Sequence, residues 1–136
     1  MRNLISNPGF ETVGTGWQNV QKYTDGTDDS GTKPHSGSRY AKTINGENIV
    51  SDPFEVTPGA TLHASAWFYS PVNQRLAGVI IVFDDGAKQK NILKAGTGWT
   101  RILLDCTVPD DASTATIELY SAEWKRFDDV EVTEVI

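Results

Sequence analysis

One short segment alternates apolar residues with polar and aromatic residues that could bind a ligand. In residues 61–70, every second position is apolar, and the outward positions include His63, Ser65, Trp67 and Tyr69. Successive side chains of a β-strand point to opposite faces, so these four would share the outer face of a sheet. An aromatic ring can stack on a pyranose while polar neighbours bind its hydroxyls. The segment therefore predicts a sugar-binding face or, if a loop covers the rings, a second small core.

Other aromatic residues could enlarge such a face. Residues 115–122 repeat the alternation, and their outward positions include Glu118 and Tyr120. Trp17 and Trp124 stand near the ends of predicted strands, where each could rim a cleft, although packing is the commoner role for tryptophan there. These four residues are therefore candidates for the ligand site, with packing as the alternative role of the two tryptophans.

The elements that must position these residues are short β-strands. Turn-forming residues divide the chain into segments with period-2 patterning, and no sustained helical stripe is present. Asp85-Gly86 predicts a two-residue type I′ hairpin turn. Besides the two segments above, strands are expected near residues 17–24, 38–44, 48–56, 77–84, 87–94, 99–108 and 126–135. The inward positions expected in the core are Leu62, Ala64, Ala66, Phe68, Ile102, Leu104, Cys106, Ile117, Leu119, Val130 and Val132.

Length and charge limit the classes of partner. The 136 residues suit one domain spanning 1–136, and the net charge of −6 argues against nucleic acids and anionic membranes. No apolar run approaches the ~20 residues that span a bilayer. No apolar segment follows Met1, so no secretory signal is visible. We expect either a module of a secreted protein or a small protein that leaves the cell within an assembled particle.

Enzymatic activity is not expected. The sequence has no nucleophile-elbow, zincin or phosphate-loop motif, and it contains only two histidines. Glycoside hydrolysis needs two carboxylates that flank the bond, and nothing in the sequence pairs Glu118 with Asp105. The single cysteine, Cys106, shares strand phase with apolar residues and is expected to be a buried thiol.

Five motifs in order resemble carbohydrate-binding modules of the family 4/9/22 type, which are galactose-binding-like jelly rolls. The resemblance implies a jelly-roll β-sandwich of two antiparallel sheets and a non-catalytic module that binds a glycan or polysaccharide. The same opening resembles surface domains of bacteriophage tails and heads, so the alternative is a structural, decoration or adhesion protein that contacts capsid or tail proteins. Both roles are extracellular. The motifs are Asn3–Glu11 with Trp17, His35–Tyr40, Phe54–Gly59 with Leu62–Trp67, Gly98–Thr100 and Phe127–Val132.

The resemblance also implies a structural calcium ion that ties the N-terminal segment to the closing strand. Carried over by position, the ligands are the carboxylates of Glu11 and Asp128 and the backbone oxygens of Gly9 and Gly37. Such a mixture of carboxylate and carbonyl oxygens suits calcium. The alternative is a hydrogen-bonded pair of carboxylates without a metal.

Overall fold

The fold was analysed in a computed structural model, which describes residues 2–28, 31–44, 46–122 and 124–136. Within these residues the chain forms eleven β-strands and no helix. None of the described residues belongs to a helix that could cross a membrane. The strands are β1 (Trp17–Gln18), β2 (Lys22–Thr24), β3 (Tyr40–Thr43), β4 (Ile49–Ser51), β5 (Phe54–Glu55), β6 (Thr61–Ser70), β7 (Arg75–Phe83), β8 (Lys88–Ala95), β9 (Gly98–Thr107), β10 (Thr114–Ser121) and β11 (Lys125–Val135).

The strands form two antiparallel sheets packed face to face. The first sheet has the order β1-β4-β10-β7-β8, and β5 also pairs with β10. The second sheet has the order β2-β3-β11-β6-β9. Strands that follow one another in the chain often lie in different sheets. This arrangement confirms the predicted jelly-roll β-sandwich.

Alternation along the strands builds the core. Leu62, Ala64, Ala66 and Phe68 of β6 are buried between the sheets, as predicted from their period of two. The inward residues of β9, β10 and β11 are buried as well, Cys106 among them. Burial, followed by the nearby Asp105 charge, raises the pKa of the Cys106 thiol to about 11. The predicted core is therefore confirmed in full.

Two predicted strands each break in two. The segment predicted as one strand over residues 17–24 is split between β1 of the first sheet and β2 of the second. Asn19 lies between them with a φ of 68°, which interrupts an extended strand. The segment 48–56 is likewise interrupted at Asp52-Pro53, because proline cannot donate a hydrogen bond to a sheet ladder.

The turn between β7 and β8 also differs from the prediction. Gly86 has a φ of 93°, whereas Asp85 is not among the residues with positive φ, so a type I′ turn is excluded. The amide of Gly86 donates to the carbonyl of Phe83 at 2.9 Å, and the amide of Phe83 donates to the carbonyl of Ala87 at 2.9 Å. The connection is thus a type I turn closed by a glycine bulge.

The N-terminal segment lies against the closing strand and brings distant residues together. The amide of Leu4 donates to the carbonyl of Val132 at 2.8 Å, and the side chain of Asn3 bonds to the backbone of Val130 and Val132. β11 has an irregular register between Asp128 and Glu131, where Asp129 adopts a φ of 47°. The N-terminal segment and this bulge frame one part of the candidate site.

Candidate functional site

The first predicted face lies on the outer side of the second sheet. His63, Ser65, Trp67 and Tyr69 are the outward residues of β6, and β9 places Trp99 directly opposite Tyr69. The rings of Tyr69 and Trp99 meet edge to face with centroids 5.4 Å apart. The predicted alternation of β6 is therefore confirmed, and it gathers aromatic and polar groups on one surface.

The loop that leads into β3, which includes Lys33, His35 and Ser36, covers part of Trp67. The ring of His35 stacks on the indole of Trp67 with centroids 3.8 Å apart. His35 Nδ1 lies 2.5 Å from a carboxylate oxygen of Asp129, and the indole of Trp99 donates to the carbonyl of Lys33 at 2.9 Å. Trp67 is half-buried beneath this loop, in the manner of a second small core. Its remaining surface lines a cavity of about 260 Å³ with Asn3, Pro8, Ser65, Arg101, Asp129, Val130 and Glu131.

Glu118 and Tyr120 do not extend this surface. Both belong to β10 of the first sheet, where Glu118 pairs with Ile80 and Val50. The side-chain amide of Asn48 donates to Glu118 Oε1 at 3.1 Å. Since the two sheets have opposite outer faces, the expectation that these residues join Trp67 in one site is wrong.

The remaining two tryptophans have different surroundings. Trp17 is only 7% exposed, its ring lies 4.7 Å from that of Phe10, and its indole donates to the carbonyl of Asn7 at 2.9 Å. Trp17 therefore packs in the core and does not rim a cleft. Trp124 precedes β11 and is 43% exposed.

Trp124 and Tyr69 line a common cavity of about 300 Å³. Arg126 lies close to both rings. Its guanidinium carbon is 4.8 Å from the ring centroid of Trp124 and 5.8 Å from that of Tyr69. Arg75, at the start of β7, lines the same cavity. We call the site formed by Tyr69, Arg75, Trp124 and Arg126 the aromatic–arginine cleft. Phe68, Ser70, Pro71 and Ser121 complete its lining.

Sequence reasoning missed the two arginines of this cleft. Arg126 alternates with the core residue Phe127, so its outward position could have been read from the strand pattern. Arg75 follows a turn and carries no such signal. Its proximity to Trp124 arises because β7 and β10 are neighbours in the first sheet, and the chain passes from β10 through Trp124 into β11.

The four predicted calcium ligands lie together beside the loop that covers Trp67. The carboxylate of Glu11 accepts hydrogen bonds from the amides of Ser38 at 2.8 Å and Arg39 at 2.9 Å. Gly37 has a φ of 65°, which favours glycine, and a Cβ atom there would lie 2.8 Å from the carboxyl carbon of Glu11 and would displace that carboxylate. A Cβ at Gly9 would lie 3.7 Å from Glu11 Cγ. The loop and the N-terminal segment are thus in close contact at Glu11.

Asp128 contributes a buried carboxyl group to the same region. It has no exposed surface, and it accepts hydrogen bonds from the amides of Ser36 at 3.2 Å and Asp129 at 2.9 Å. Burial, followed by the charge of Asp129, raises its pKa to about 7. Among the described residues, no three His, Cys, Asp or Glu side chains are grouped to hold a metal. A cation here would therefore also need backbone oxygens, as the predicted ligand set includes.

Comparisons with known proteins agree on the fold. No protein-family model and no curated protein matches the sequence. Among solved structures, the chain is similar to TmCBM61 in complex with β-1,4-galactotriose, with 18% identity, a TM-score of 0.62, and coverage of 99% of this chain and 100% of that one. It is also similar to the CBM22-1-GH10 modules of Clostridium thermocellum xylanase 10B complexed with xylohexaose, with 18% identity and a TM-score of 0.69.

The fold also occurs in a bacteriophage protein. The chain is similar to the enzymatically active domain of tailspike protein 4 of bacteriophage CBA120, with 18% identity and a TM-score of 0.65. The region of similarity with the tailspike protein covers 98% of this chain but only 21% of the tailspike chain. The region of similarity with the xylanase covers 97% of this chain and 28% of the xylanase chain. The chain thus spans a minor part of these two larger proteins. Its architecture is the jelly-roll β-sandwich of carbohydrate-binding modules.

Proposed function

We propose that this chain is a non-catalytic module that binds a glycan at the aromatic–arginine cleft. The observation that carries the proposal is the cavity of about 300 Å³ lined by Tyr69, Trp124 and two guanidinium groups. The proposal is supported by the fold that this chain shares with proteins whose structures were solved in complex with β-1,4-galactotriose and with xylohexaose. As the earlier resemblance implies, such a module acts outside the cell, within a secreted protein or on a virion.

The cleft offers the two kinds of contact that sugar recognition needs. Trp124 presents an open ring surface on which a pyranose can stack. Arg75 lines the cavity, and its guanidinium group has enough donors to bind a sugar hydroxyl in addition to its protein contact. Arg126 is only 6% exposed and supports the ring of Trp124. The neighbouring hydroxyls of Ser70 and Ser121 add short polar groups at the cavity wall.

Calorimetric titration with β-1,4-galactotriose and xylohexaose, extended to a glycan array, tests this proposal. Trp124→Ala should lower the affinity for any bound glycan at least about tenfold, because the stacking ring is removed. Tyr120→Ala, an aromatic truncation on the opposite sheet, is the matched control and should leave the affinity unchanged. Equal losses in both variants would contradict the cleft as the site.

The same titration tests the other predicted ligand residues. Trp67 and His63 remain candidate contacts through the exposed surface of β6, next to the cavity that contains Arg101 and Glu131. If the sugar binds there, Trp67→Ala should reduce the affinity while Trp124→Ala should not. Glu118 and Tyr120, on the first sheet, take no part in either of these candidate sites.

We also propose that a calcium ion holds Glu11, Asp128, Gly9 and Gly37 together. The support is that Glu11 lies against Gly9 and Gly37 while Asp128 binds the amide of Ser36, next to Gly37 in the chain. A cation would also stabilise the charged form of the buried Asp128 carboxyl. Calcium bound only by the folded state raises the unfolding temperature. Thermal unfolding with excess calcium and then with chelator should give different midpoints, and Asp128→Asn should abolish the difference. Identical unfolding midpoints for the unaltered chain would show that calcium does not stabilise the fold.

A structural role on a bacteriophage virion is the second candidate function. The similarity to a tailspike domain favours it, since the same fold there forms part of a phage tail protein. In this role the aromatic–arginine cleft would contact a neighbouring capsid or tail protein, because tryptophan and arginine are frequent anchors of interfaces. No glycan would then bind the unaltered chain, and Trp124→Ala would reduce incorporation into particles.

A further inference from the structure

A second cavity lies beside Trp124, and we call it the Ile44 cavity. Its volume is about 520 Å³, and its described lining is Gln21, Lys22, Asp28, Lys42, Ile44 and Trp124. Within the described part of the chain, Trp124 is the one residue that lines both this cavity and the aromatic–arginine cleft. The indole therefore stands between two separate concave surfaces.

The two cavities lie over different strands of the second sheet. Lys22 of β2 and Lys42 of β3 line the Ile44 cavity, whereas Arg126 of β11 and Tyr69 of β6 line the aromatic–arginine cleft. The order of these strands in the sheet is β2-β3-β11-β6. Neighbouring strands lie about 4.8 Å apart, so β2 and β6 are separated by about 14 Å. A single sugar is too short to reach both cavities, whereas a chain of sugars that crosses these strands can.

Trp124 is supported from within the protein at the middle of this path. The ammonium of Lys42 is 5.2 Å from the ring centroid of Trp124, and the guanidinium carbon of Arg126 is 4.8 Å from it. Lys42 and Arg126 are only 5% and 6% exposed, so these cations hold the indole in place and are not themselves contacts for a ligand. Trp124 is 43% exposed, and an indole can stack on a sugar ring that bridges the two cavities.

Gln21 and Lys22 supply hydrogen-bond donors in the Ile44 cavity. The side-chain oxygen of Gln21 accepts a hydrogen bond from the amide of Ile44 at 2.8 Å, which fixes the side chain. No described residue accepts a hydrogen bond from the NH2 group of Gln21. The ammonium of Lys22 donates to Asp28 at 2.9 Å, and its side chain is 59% exposed, so the other two of its three donors can bind sugar hydroxyls.

Asp28 and Ile44 add an acceptor and an apolar surface to the same cavity. The hydroxyl of Thr24 and the ammonium of Lys22 lower the pKa of Asp28, so its carboxylate is ionised at neutral pH. An ionised carboxylate has about four acceptor sites and can therefore bind a sugar hydroxyl in addition to these partners. Ile44 is 41% exposed. A concave surface that combines apolar residues with a few placed donors and acceptors is typical of a small-ligand site.

On the basis of the proposed function, we infer that the Ile44 cavity is a second subsite and that the ligand is a segment of an extended oligosaccharide or polysaccharide chain. One sugar lies in the aromatic–arginine cleft, the next stacks on Trp124, and another lies in the Ile44 cavity, so the bound segment has about three units. A ligand made of one terminal sugar would use a single cavity.

A ladder of oligosaccharides of increasing length tests this inference. Calorimetric titration uses the β-1,4-galactose and β-1,4-xylose series from the monosaccharide to the hexasaccharide, together with the corresponding series of any other glycan that binds on the array. For the series that binds, we expect the affinity to rise at least about tenfold from the monosaccharide to the trisaccharide, because the second subsite becomes occupied. From the tetrasaccharide to the hexasaccharide it should change less than about twofold, since further sugars lie beyond both cavities.

Two truncations in the Ile44 cavity locate the second subsite. Ile44→Ala and Gln21→Ala should each weaken binding of the hexasaccharide about fivefold or more and reduce its advantage over the disaccharide. Ile92→Ala is the matched control, because Ile92 is 38% exposed on β8 of the first sheet and Ile44 is 41% exposed. The control should change the affinity less than about twofold. Circular dichroism of each variant confirms that the fold is retained.

The outcomes separate this inference from the proposed function. Equal affinity along the whole ladder, with loss in Trp124→Ala, would overturn the second subsite and keep the glycan-binding module. A length-dependent affinity that Ile44→Ala and Gln21→Ala leave unchanged would place the added sugars elsewhere and would also overturn it. If neither these oligosaccharides nor any glycan on the array binds the unaltered chain, the proposed function and this inference fail together.

Discussion

Trp67 and Trp124 lie on the same side of the sandwich, yet their surroundings differ. Trp67 is held beneath a loop by the stacked ring of His35, which in turn bonds to Asp129. Trp124 is 43% exposed and lies over two cations between two cavities. An outward aromatic residue is thus open for binding only where no loop lies over it.

The two regions also differ in charge. Glu11, Asp128 and Asp129 surround the loop that covers Trp67, whereas the described lining around Trp124 is mostly cationic. Buried or partnered carboxylates therefore lie beside one tryptophan, and buried or partnered cations lie beside the other. The first region is the one proposed to hold calcium, and the second is the one proposed to bind a glycan.

The largest expected difference between the two regions is in pH dependence. Asp128 has a folded pKa of about 7, above the ordinary unfolded value of about 3.9. The folded state therefore holds the proton over a range in which the unfolded state has released it. Without calcium, the stability contributed by this group is full below about pH 4 and is lost as pH rises to about 7, by up to about 1.4 kcal/mol per pH unit.

Urea unfolding from pH 4 to pH 8 in chelator measures this effect as the difference between the unaltered chain and Asp128→Asn. The slope of the difference should flatten when calcium is added, because calcium favours the ionised carboxylate. A pH-independent difference would contradict a raised pKa at Asp128.

Truncating each tryptophan gives the next largest contrast. Trp67→Ala should destabilise the fold by about 2–3 kcal/mol, since a half-buried ring that packs on His35 is removed. Trp124→Ala should cost less than about 1 kcal/mol, the usual range for an exposed ring over cations. Chemical denaturation of both variants measures these values. Equal costs would mean that the two regions do not differ in packing.

The contact between the N-terminal segment and the loop gives a smaller effect. Glu11→Gln keeps the shape of the side chain but removes the charge that accepts bonds from Ser38 and Arg39, and should cost about 1 kcal/mol. Glu131→Gln, an exposed change on β11, is the control and should be close to neutral. Thermal melts compare the two. Hydrogen exchange should show faster exchange at Ser38 only in the first variant.

The smallest expected effect is at Cys106, which lies in the core away from both regions. Its buried thiol, with a pKa raised to about 11, should not react with a thiol reagent in the folded state. If the proposed calcium ion is bound, chelator should loosen only the loop over Trp67, and the thiol should stay unreactive. Rapid modification in chelator alone would show that losing the cation opens the whole core.

The sequence allowed the fold class and the core to be predicted because the underlying pattern is local. A period of two along β6 and β10 assigns each side chain to an inward or outward face, whatever strand lies beside it. This is why Phe68 and Ile117 were placed correctly in the core. The same local reasoning gave the outward positions of Trp67 and Glu118.

The tertiary structure decided which outward residues share a surface. Glu118 and Trp67 have the same pattern but lie on opposite sheets, because pairing between distant strands depends on contacts that no short segment encodes. The loop over Trp67 and the approach of Arg75 to Trp124 likewise bring together residues far apart in the chain. The sequence by itself determined the two faces of each strand, and tertiary packing determined which parts of those faces remain open to a ligand.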